Sequence, residues 1–303
     1  MSSPKLRTAN KLIRQITYLG VIINIILAAV KFAAGFAAGS MALIADAVHS
    51  LSDMVTDIVV LLGVHFGTKG PDHEHPYGHG RIETFSAFLI ALVLVVVGVL
   101  MIKRASFVIA NVHFGRFQLD EVGSAVLWVA LVSVAVKEAL YFFTQKVAVR
   151  TRSPALYANA WHHRSDALSS IAVVAGFIAL RLGFEYGDQA ATIAVGLMII
   201  LVGVKIIGGC FEEFAERAVD SQTIGQIEEI IASEKRIRQW HNLRSRSVGR
   251  EIFVDLHILV DPELNITDAH EISEALETAL HVQLTRPVNI TIHIEPDNPE
   301  LRK

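Results

Sequence analysis

The sequence predicts an α-helical membrane protein with six transmembrane helices, followed by a cytoplasmic α/β domain with the element order αββαβ. The chain of 303 residues is 52% hydrophobic, and its mean hydropathy of +0.45 exceeds that of a typical soluble domain. Its apolar residues are concentrated in six long runs, and charged residues become frequent only after residue 215. We therefore expect a membrane domain over residues 1–214 and a cytoplasmic domain over residues 215–303.

Each apolar run approaches the ~20 residues that a helix needs to cross a hydrocarbon core about 30 Å thick. The runs cover residues 16–38, 41–66, 84–102, 122–144, 157–182 and 190–209. The first run is too long for the apolar part of a signal peptide and five more follow it, so we expect no cleaved leader.

The basic residues predict the orientation in the lipid bilayer. Nine of them flank the spans on the side of the two termini: Lys5, Arg7, Lys11, Arg14, Lys69, Arg81, Lys146, Arg150 and Arg152. Four lie on the other side: Lys103, Arg104, Arg116 and Arg181. By the positive-inside tendency, both termini and the tail are predicted to be cytoplasmic.

Composition also excludes some classes of protein. The single cysteine, Cys210, rules out an intrachain disulfide and a cysteine-based metal site. A net charge of −3 gives no reason to expect a nucleic-acid partner.

Two of the apolar runs contain ionisable side chains at helical spacing. The stretch "IADAVHSLSDMVTD" in the second run places four of them on one helical face: Asp46, His49, Asp53 and Asp57. The stretch "WHHRSDALSS" in the fifth run places His162 and Asp166 one turn apart. Ionisable groups at membrane depth cost roughly 2.5–3.5 kcal/mol each. We therefore expect the two faces to meet around a polar site, although a single His–Asp pair also suits a structural tie between helices.

Facing each other, these helices offer two imidazoles and two carboxylates: His49, Asp53, His162 and Asp166. That set is typical of a tetrahedral site for Zn²⁺ or a similar divalent ion. Two aspartates and two neutral histidines carry a charge of −2, which one divalent ion or two protons would neutralise. Because histidine must lose its proton to ligate a metal, metal and protons are predicted to compete, which is the physical basis of antiport.

Other polar residues within the apolar runs are expected to lie outside this metal site. His163 lies about 100° around the helix from His162, so we expect it to face elsewhere. Asp57 is expected near the cytoplasmic end, as an entrance charge or a hydrated group. Lys137 and Glu138 are interpreted as a structural pair near the membrane interface.

The tail alternates helical and strand patterns. The stretch "SQTIGQIEEIIASEK" predicts a helix, "WHNLRSRSV" and "EIFVDLHILV" predict a hairpin around Gly249, and "ITDAHEISEALETAL" predicts a helix capped by Asp268. The stretch "PVNITIHIEP" alternates as a strand. Alternation leaves His257, His293 and Glu295 on the outer face, where they form a shared patch if the two strands are neighbours.

Three motifs together resemble the cation diffusion facilitator family over nearly the whole chain. They are "ADAVHSLSDMVTD", "HPYGHGR" and "NAWHHRSDALSS", in this order on six spans ahead of an α/β tail. The resemblance implies a homodimeric, proton-coupled exporter of divalent transition metals with a metallochaperone-like cytoplasmic domain, in a bacterial inner membrane. It assigns the transport site to His49, Asp53, His162 and Asp166. The two-His, two-Asp form favours Zn²⁺, with Fe²⁺, Mn²⁺ and Cd²⁺ as alternatives.

The resemblance implies two further metal sites. Asp72, His75 and His79 match the family's site in the loop after the second span. In the tail, His241 and His270 join the three residues of the outer strand face, and we expect a metal there to bridge two subunits. Relatives often carry an aspartate at the position of Glu295. Arg81 and Glu216 match a charged pair between the third span and the tail.

Two other functions compete with transport. A membrane metalloenzyme would need a general base beside an open metal site, and the H-E-x-x-H pattern is absent from the sequence. A metal-sensing scaffold would bind ions and move none. We predict a transporter and not an enzyme.

Overall fold

The computed structural model describes residues 4–38, 47, 50, 51, 53–111, 124–181 and 186–299. Within these residues the membrane part contains α1 (Pro4–Ala38), α2 (Met54–Gly67), α3 (Arg81–Asn111), α4 (Ser124–Thr151), α5 (Pro154–Arg181) and α6 (Gly187–Phe214). The tail contains α7 (Ser221–Ser233), β1 (Gln239–Val248), β2 (Glu251–Val260), α8 (Ile266–Gln283) and β3 (Val288–Pro296).

Three of the described helices are long and apolar enough to cross a membrane: Lys5–Ala34, Arg81–Phe107 and Gln189–Phe214. Large apolar side chains on them point outward, for example Leu201, which is 70% exposed. An outward apolar surface of this kind suits lipid. The start of the second predicted span lies outside the described residues, so a count of six spans stays a prediction.

Helices α3 and α6 of the membrane domain pack closely because small residues face each other. A Cβ built on Gly98 would lie 2.8 Å from the carbonyl oxygen of Gly196, and one on Gly196 would lie 3.0 Å from that of Gly98. Side chains at these positions would force the helices apart. The pair α4 and α5 packs in the same domain, and α1 contacts α2 and α4.

The tail is a three-stranded sheet of order β1-β2-β3 with α7 and α8 packed on it. Strand β2 pairs antiparallel with β1 and parallel with β3. The predicted alternation places Ile252, Val254, Leu256 and Ile258 in the core, where each is at most 1% exposed. The opposite residues of β2 therefore face away from the helices.

The start of α8 differs from the sequence prediction. The helix begins at Ile266, and the side chain of Asn265 accepts hydrogen bonds from the backbone N–H groups of Thr267 and Asp268. The predicted cap at Asp268 is wrong, because Asn265 already satisfies these amides. Asp268 instead lies in the first turn, where the helix dipole favours its charge.

Candidate metal centre

A buried cluster of Asp53, His162 and Asp166 lies between the start of α2 and the third and fourth turns of α5. His162 Nε2 lies 3.6 Å from Asp53 Oδ1 and 3.9 Å from Asp166 Oδ2. One ligand atom from each residue lies within 4.8 Å of those of the other two. The structure thus brings together three of the four predicted membrane ligands. The fourth, His49, lies outside the described residues, as does Asp46.

The distance from the His162 imidazole to Asp53 suits two ligands of one metal ion better than a hydrogen bond. It is 5% exposed, and neither ring nitrogen has a hydrogen-bond partner within the described part of the chain. Two ligands of a tetrahedral zinc ion lie about 3.3 Å apart. The 3.6 Å between His162 Nε2 and Asp53 Oδ1 is near this spacing and too long for a good hydrogen bond.

Lys137 contacts this cluster, contrary to the sequence interpretation. Its Nζ lies 2.7 Å from Asp53 Oδ2 and 3.2 Å from Asp166 Oδ2, and its side chain is 4% exposed. Glu138 does not pair with it; Glu138 Oε1 lies 3.9 Å from Arg164 Nε. The predicted pair is wrong because consecutive residues of a helix point about 100° apart.

This lysine changes the charge of the candidate site. Asp53 and Asp166 contribute −2 and the Lys137 ammonium contributes +1, so with a neutral His162 the four side chains sum to −1. The sequence-based value of −2 omitted Lys137. A divalent ion added to these four side chains would bring the sum to +1, so its binding favours the departure of one positive charge from the site.

A second buried polar cluster surrounds Asp57. Its carboxylate accepts hydrogen bonds from Asn24 Nδ2 at 3.2 Å and from Asn159 Nδ2 at 2.7 Å, and His163 Nε2 lies 3.6 Å from Asp57 Oδ1. Asp57 is 0% exposed, so the expectation of a hydrated entrance charge is wrong. The 100° rotation turns His163 away from His162 and toward Asp57. Hydrogen bonds from side chains of α1 and α5 take the place of hydration at this buried carboxylate.

The loop between α2 and α3 brings Asp72, His75 and His79 together. Asp72 Oδ1 lies 3.3 Å from His75 Nδ1, and Asp72 Oδ2 lies 3.4 Å from His79 Nε2. Gly78 has a φ of +82°, a conformation that favours glycine and lets the loop fold back. A backbone hydrogen bond from His75 lowers the pKa of Asp72, which keeps an anionic oxygen available to a cation.

The outer face of the tail sheet carries a third group, formed by His241, His257 and Glu295. Glu295 Oε1 lies 2.8 Å from His257 Nδ1, and Glu295 Oε2 lies 3.2 Å from His241 Nε2. His293 pairs in register with His257, and its Nε2 lies 3.5 Å from Glu295 Oε1. His270 is not part of this group; it lies on α8, 3.4 Å from Glu274, with 66% of its side chain exposed.

The electrostatics of the tail group favour an anionic Glu295. Desolvation by burial acts to raise its pKa, but the hydrogen bond with His257 and the nearby imidazoles of His241 and His293 outweigh it and lower the pKa. A depressed pKa keeps the carboxylate charged, as a metal ligand requires.

The membrane part and the tail are joined by charged contacts. Arg81 Nη2 donates to Glu216 Oε1 at 2.5 Å, which brings the matched pair into contact. The sequence did not predict a second contact, between Arg250 and Glu83. Arg250 Nε donates to Glu83 Oε2 at 2.8 Å, and both side chains are buried. Ser153 Oγ donates to the other carboxylate oxygen, Glu83 Oε1. One signal was available, since Glu83 stands as an isolated acid at the start of a long apolar run.

A helical membrane domain with a buried aspartate–histidine cluster, joined to a small sheet domain that carries further metal-ligand groups, defines a membrane transport protein for metal cations. Family models match both parts: the cation efflux transmembrane domain over residues 17–213 and the cation efflux protein cytoplasmic domain over residues 219–297. The chain belongs to the cation diffusion facilitator family, whose members are divalent metal cation transporters and not enzymes. The match to the cytoplasmic domain is a match to a dimerisation domain, which supports a homodimer.

Relatives in plants, archaea and bacteria are similar over most of this chain. Metal tolerance protein C1 of Arabidopsis thaliana is 32% identical over 289 residues, which are 92% of this chain and 61% of that protein. An uncharacterized transporter of Methanocaldococcus jannaschii is 34% identical over 86% of this chain and 91% of its own length. The magnetosome protein MamM of Paramagnetospirillum magneticum is 33% identical over 93% of this chain and 88% of its own length.

Proposed function

We propose that the protein exports Zn²⁺ in exchange for protons, through a tetrahedral site formed by His49, Asp53, His162 and Asp166. The observation that carries this proposal is the convergence of Asp53, His162 and Asp166 inside the membrane domain, with ligand atoms within 4.8 Å of one another. Ionisable groups at this depth are costly unless they line a polar or ion-binding site.

Proton coupling follows from the chemistry of the ligands. A histidine must be neutral and an aspartate ionised to hold the metal, so protons and the metal ion compete for the same atoms. The buried setting of His162 and Asp53 strengthens this competition, because excess charge is poorly tolerated where water is scarce. Uptake of protons from the far side would then drive release of the ion there.

The preference for zinc rests on the donor set. Two imidazole nitrogens and two carboxylate oxygens in a tetrahedral arrangement suit Zn²⁺. First-row divalent ions overlap in ligand preference, so Fe²⁺ and Mn²⁺ are the substrates to test next, followed by Cd²⁺.

Transport also requires that the site face each side in turn. We assign residues 1–214 to a membrane domain of six spans and residues 215–303 to a cytoplasmic domain, with both termini in the cytoplasm of a bacterial inner membrane. Rocking of α2 and α5 relative to the rest of the domain would alternate the access of the site.

The loop and tail groups are proposed to bind regulatory Zn²⁺. The separations within Asp72, His75 and His79 and within His241, His257 and Glu295 suit ligands of one ion. Each group supplies three ligands, and a tetrahedral ion would accept one more. In the homodimer, the exposed His270 of one subunit is proposed to reach the tail metal of the other, so that the metal favours dimer closure.

The test is a flux measurement in proteoliposomes with an imposed pH gradient. Zn²⁺ uptake and luminal pH are followed together for the wild type, for Asp53→Ala, and for Glu138→Gln, which removes the charge of an acid that contacts Arg164 and none of the proposed ligands. We expect opposite movements of Zn²⁺ and protons that Asp53→Ala abolishes and Glu138→Gln preserves. Zinc binding without flux in the wild type would instead favour a metal-sensing scaffold, and flux that survives Asp53→Ala would move the site.

A further inference from the structure

Lys137 contacts both carboxylates of the proposed transport site. Its ammonium nitrogen lies 2.7 Å from Asp53 Oδ2 and 3.2 Å from Asp166 Oδ2. The lysine extends from α4, whereas the aspartates belong to the start of α2 and to α5. The contact therefore joins three separate parts of the membrane domain at the point where the ion is proposed to bind.

The ammonium and a metal ion would use the same oxygen. Asp166 Oδ2, which accepts from Lys137, is also the carboxylate oxygen that lies 3.9 Å from His162 Nε2. A divalent ion shared by His162 and Asp166 would lie between those two atoms and beside the lysine nitrogen. Like charges at contact distance repel strongly where water is excluded.

The side chains differ in their freedom to move. Lysine carries its charge on a flexible stem of four carbons, and its ammonium does not demand a planar, bidentate geometry. Asp53 and Asp166 have short side chains, so their carboxylates can move less far than the ammonium can unless the backbone also moves. If one group leaves when an ion enters, it is the ammonium of Lys137.

We propose that Lys137 is a tethered cation that alternates with the metal ion at Asp53 and Asp166. Entry of the ion displaces the ammonium, and return of the ammonium to the two carboxylates promotes release of the ion. Between ions, the ammonium offsets part of the negative charge of the two buried carboxylates. This inference rests on the proposed transport function. It adds to that function a role for Lys137, which limits the affinity for the metal ion and speeds its release.

A purely structural role for Lys137 predicts the opposite sign of the effect. If the lysine only ties α4 to its neighbours, its removal leaves the aspartates poorly positioned, and metal affinity falls. If it competes with the ion, its removal raises metal affinity. The sign of the change in affinity therefore separates the two roles.

The first experiment measures thermal unfolding of the full-length protein in detergent while Zn²⁺ is titrated. Lys137→Met is compared with the wild type and with Lys146→Met, which removes an exposed lysine from the same helix. We expect Lys137→Met to unfold at a lower temperature without metal, to recover with Zn²⁺, and to show an apparent Kd at least tenfold lower. The loop and tail groups are the same in all three proteins, so the difference reports the membrane site.

The second experiment measures zinc flux of the same variants in proteoliposomes. We expect KM and kcat to fall together in Lys137→Met, because the ion binds more tightly and nothing displaces it, and to stay unchanged in Lys146→Met. A folded Lys137→Met with unchanged or weaker zinc affinity would overturn the proposal. Lys137→Gln is the second variant, and failure of both to fold in saturating Zn²⁺ would also contradict it, since the ion should replace the ammonium.

The two experiments separate this inference from the proposed function. A wild type that moves no zinc, combined with tighter zinc binding by Lys137→Met, would refute transport and support the competition. A wild type that transports zinc, combined with an unchanged KM in Lys137→Met, would leave transport standing and refute the competition.

Discussion

Arg250 Nε donates a hydrogen bond to Glu83 Oε2 across 2.8 Å, and the two side chains are only 3% and 2% exposed. Arg250 lies in the turn between β1 and β2, and Glu83 lies in the first turn of α3. The contact places the tip of the tail hairpin against the base of the membrane domain. The turn of the tail hairpin is therefore in direct contact with a helix of the membrane domain.

Breaking this ion pair on one side is expected to destabilise the protein strongly. Glu83→Ala leaves Arg250 buried and unpaired, which typically costs about 3–5 kcal/mol. The measurement is the free energy of unfolding of Glu83→Ala, Arg250→Met and the double variant, with Arg236→Met, which removes an exposed arginine within the tail, as the control. We expect the double variant to be more stable than either buried single variant. Additive losses would show that the two side chains are not coupled.

The hairpin turn is also sensitive to glycine replacement. Gly249 has a φ of +57°, and a Cβ there would lie 2.7 Å from the backbone oxygen of Gly80. Gly249→Ala is expected to cost at least about 1 kcal/mol from the left-handed conformation alone and to loosen the contact between the domains. Gly225 is the matched control, because a Cβ in α7 would meet no atom within 4 Å. Gly225→Ala should raise stability by about 0.5–1 kcal/mol, measured by thermal unfolding.

The adjacent residues His162 and His163 are expected to differ in function. His162→Ala removes a proposed ligand and should lower zinc flux in proteoliposomes at least tenfold. His163→Ala disturbs the polar cluster around Asp57 and should lower the unfolding temperature while zinc flux at saturating metal persists. Equal loss of flux in both folded variants would contradict the separation of the two clusters.

The pH dependence of tail stability is expected to include Asp220, the N-cap of α7. A backbone hydrogen bond from Thr223, and a second from its hydroxyl, lower the pKa of Asp220 in the folded protein. A depressed carboxyl pKa contributes stability above the unfolded pKa of about 3.9, and this contribution is lost as pH falls through the folded pKa. Asp220→Ala should cost ~1 kcal/mol near neutral pH and little in strong acid. Urea unfolding at several pH values tests this, with Glu229→Ala, which removes an exposed acid from the middle of the same helix, as the control.

Much of the tail and of the site could be predicted locally. Strand alternation predicted the buried face of β2 and left His257, His293 and Glu295 on the other face, because side chains of a strand alternate strictly. Helical spacing put His162 and Asp166 on one face of α5 for a similar reason. Such predictions require only the geometry of one element.

Contacts between elements were decided by the tertiary structure alone. The sequence determined the membrane class, the candidate ligands and the family, since these depend on composition, periodicity and motif. It did not determine that Lys137 contacts Asp53 and Asp166. Nor did it determine that Asp57 is fully buried or that Arg250 contacts Glu83. Each of these depends on how far a side chain extends from one element toward another, and the packing of the helices sets that distance.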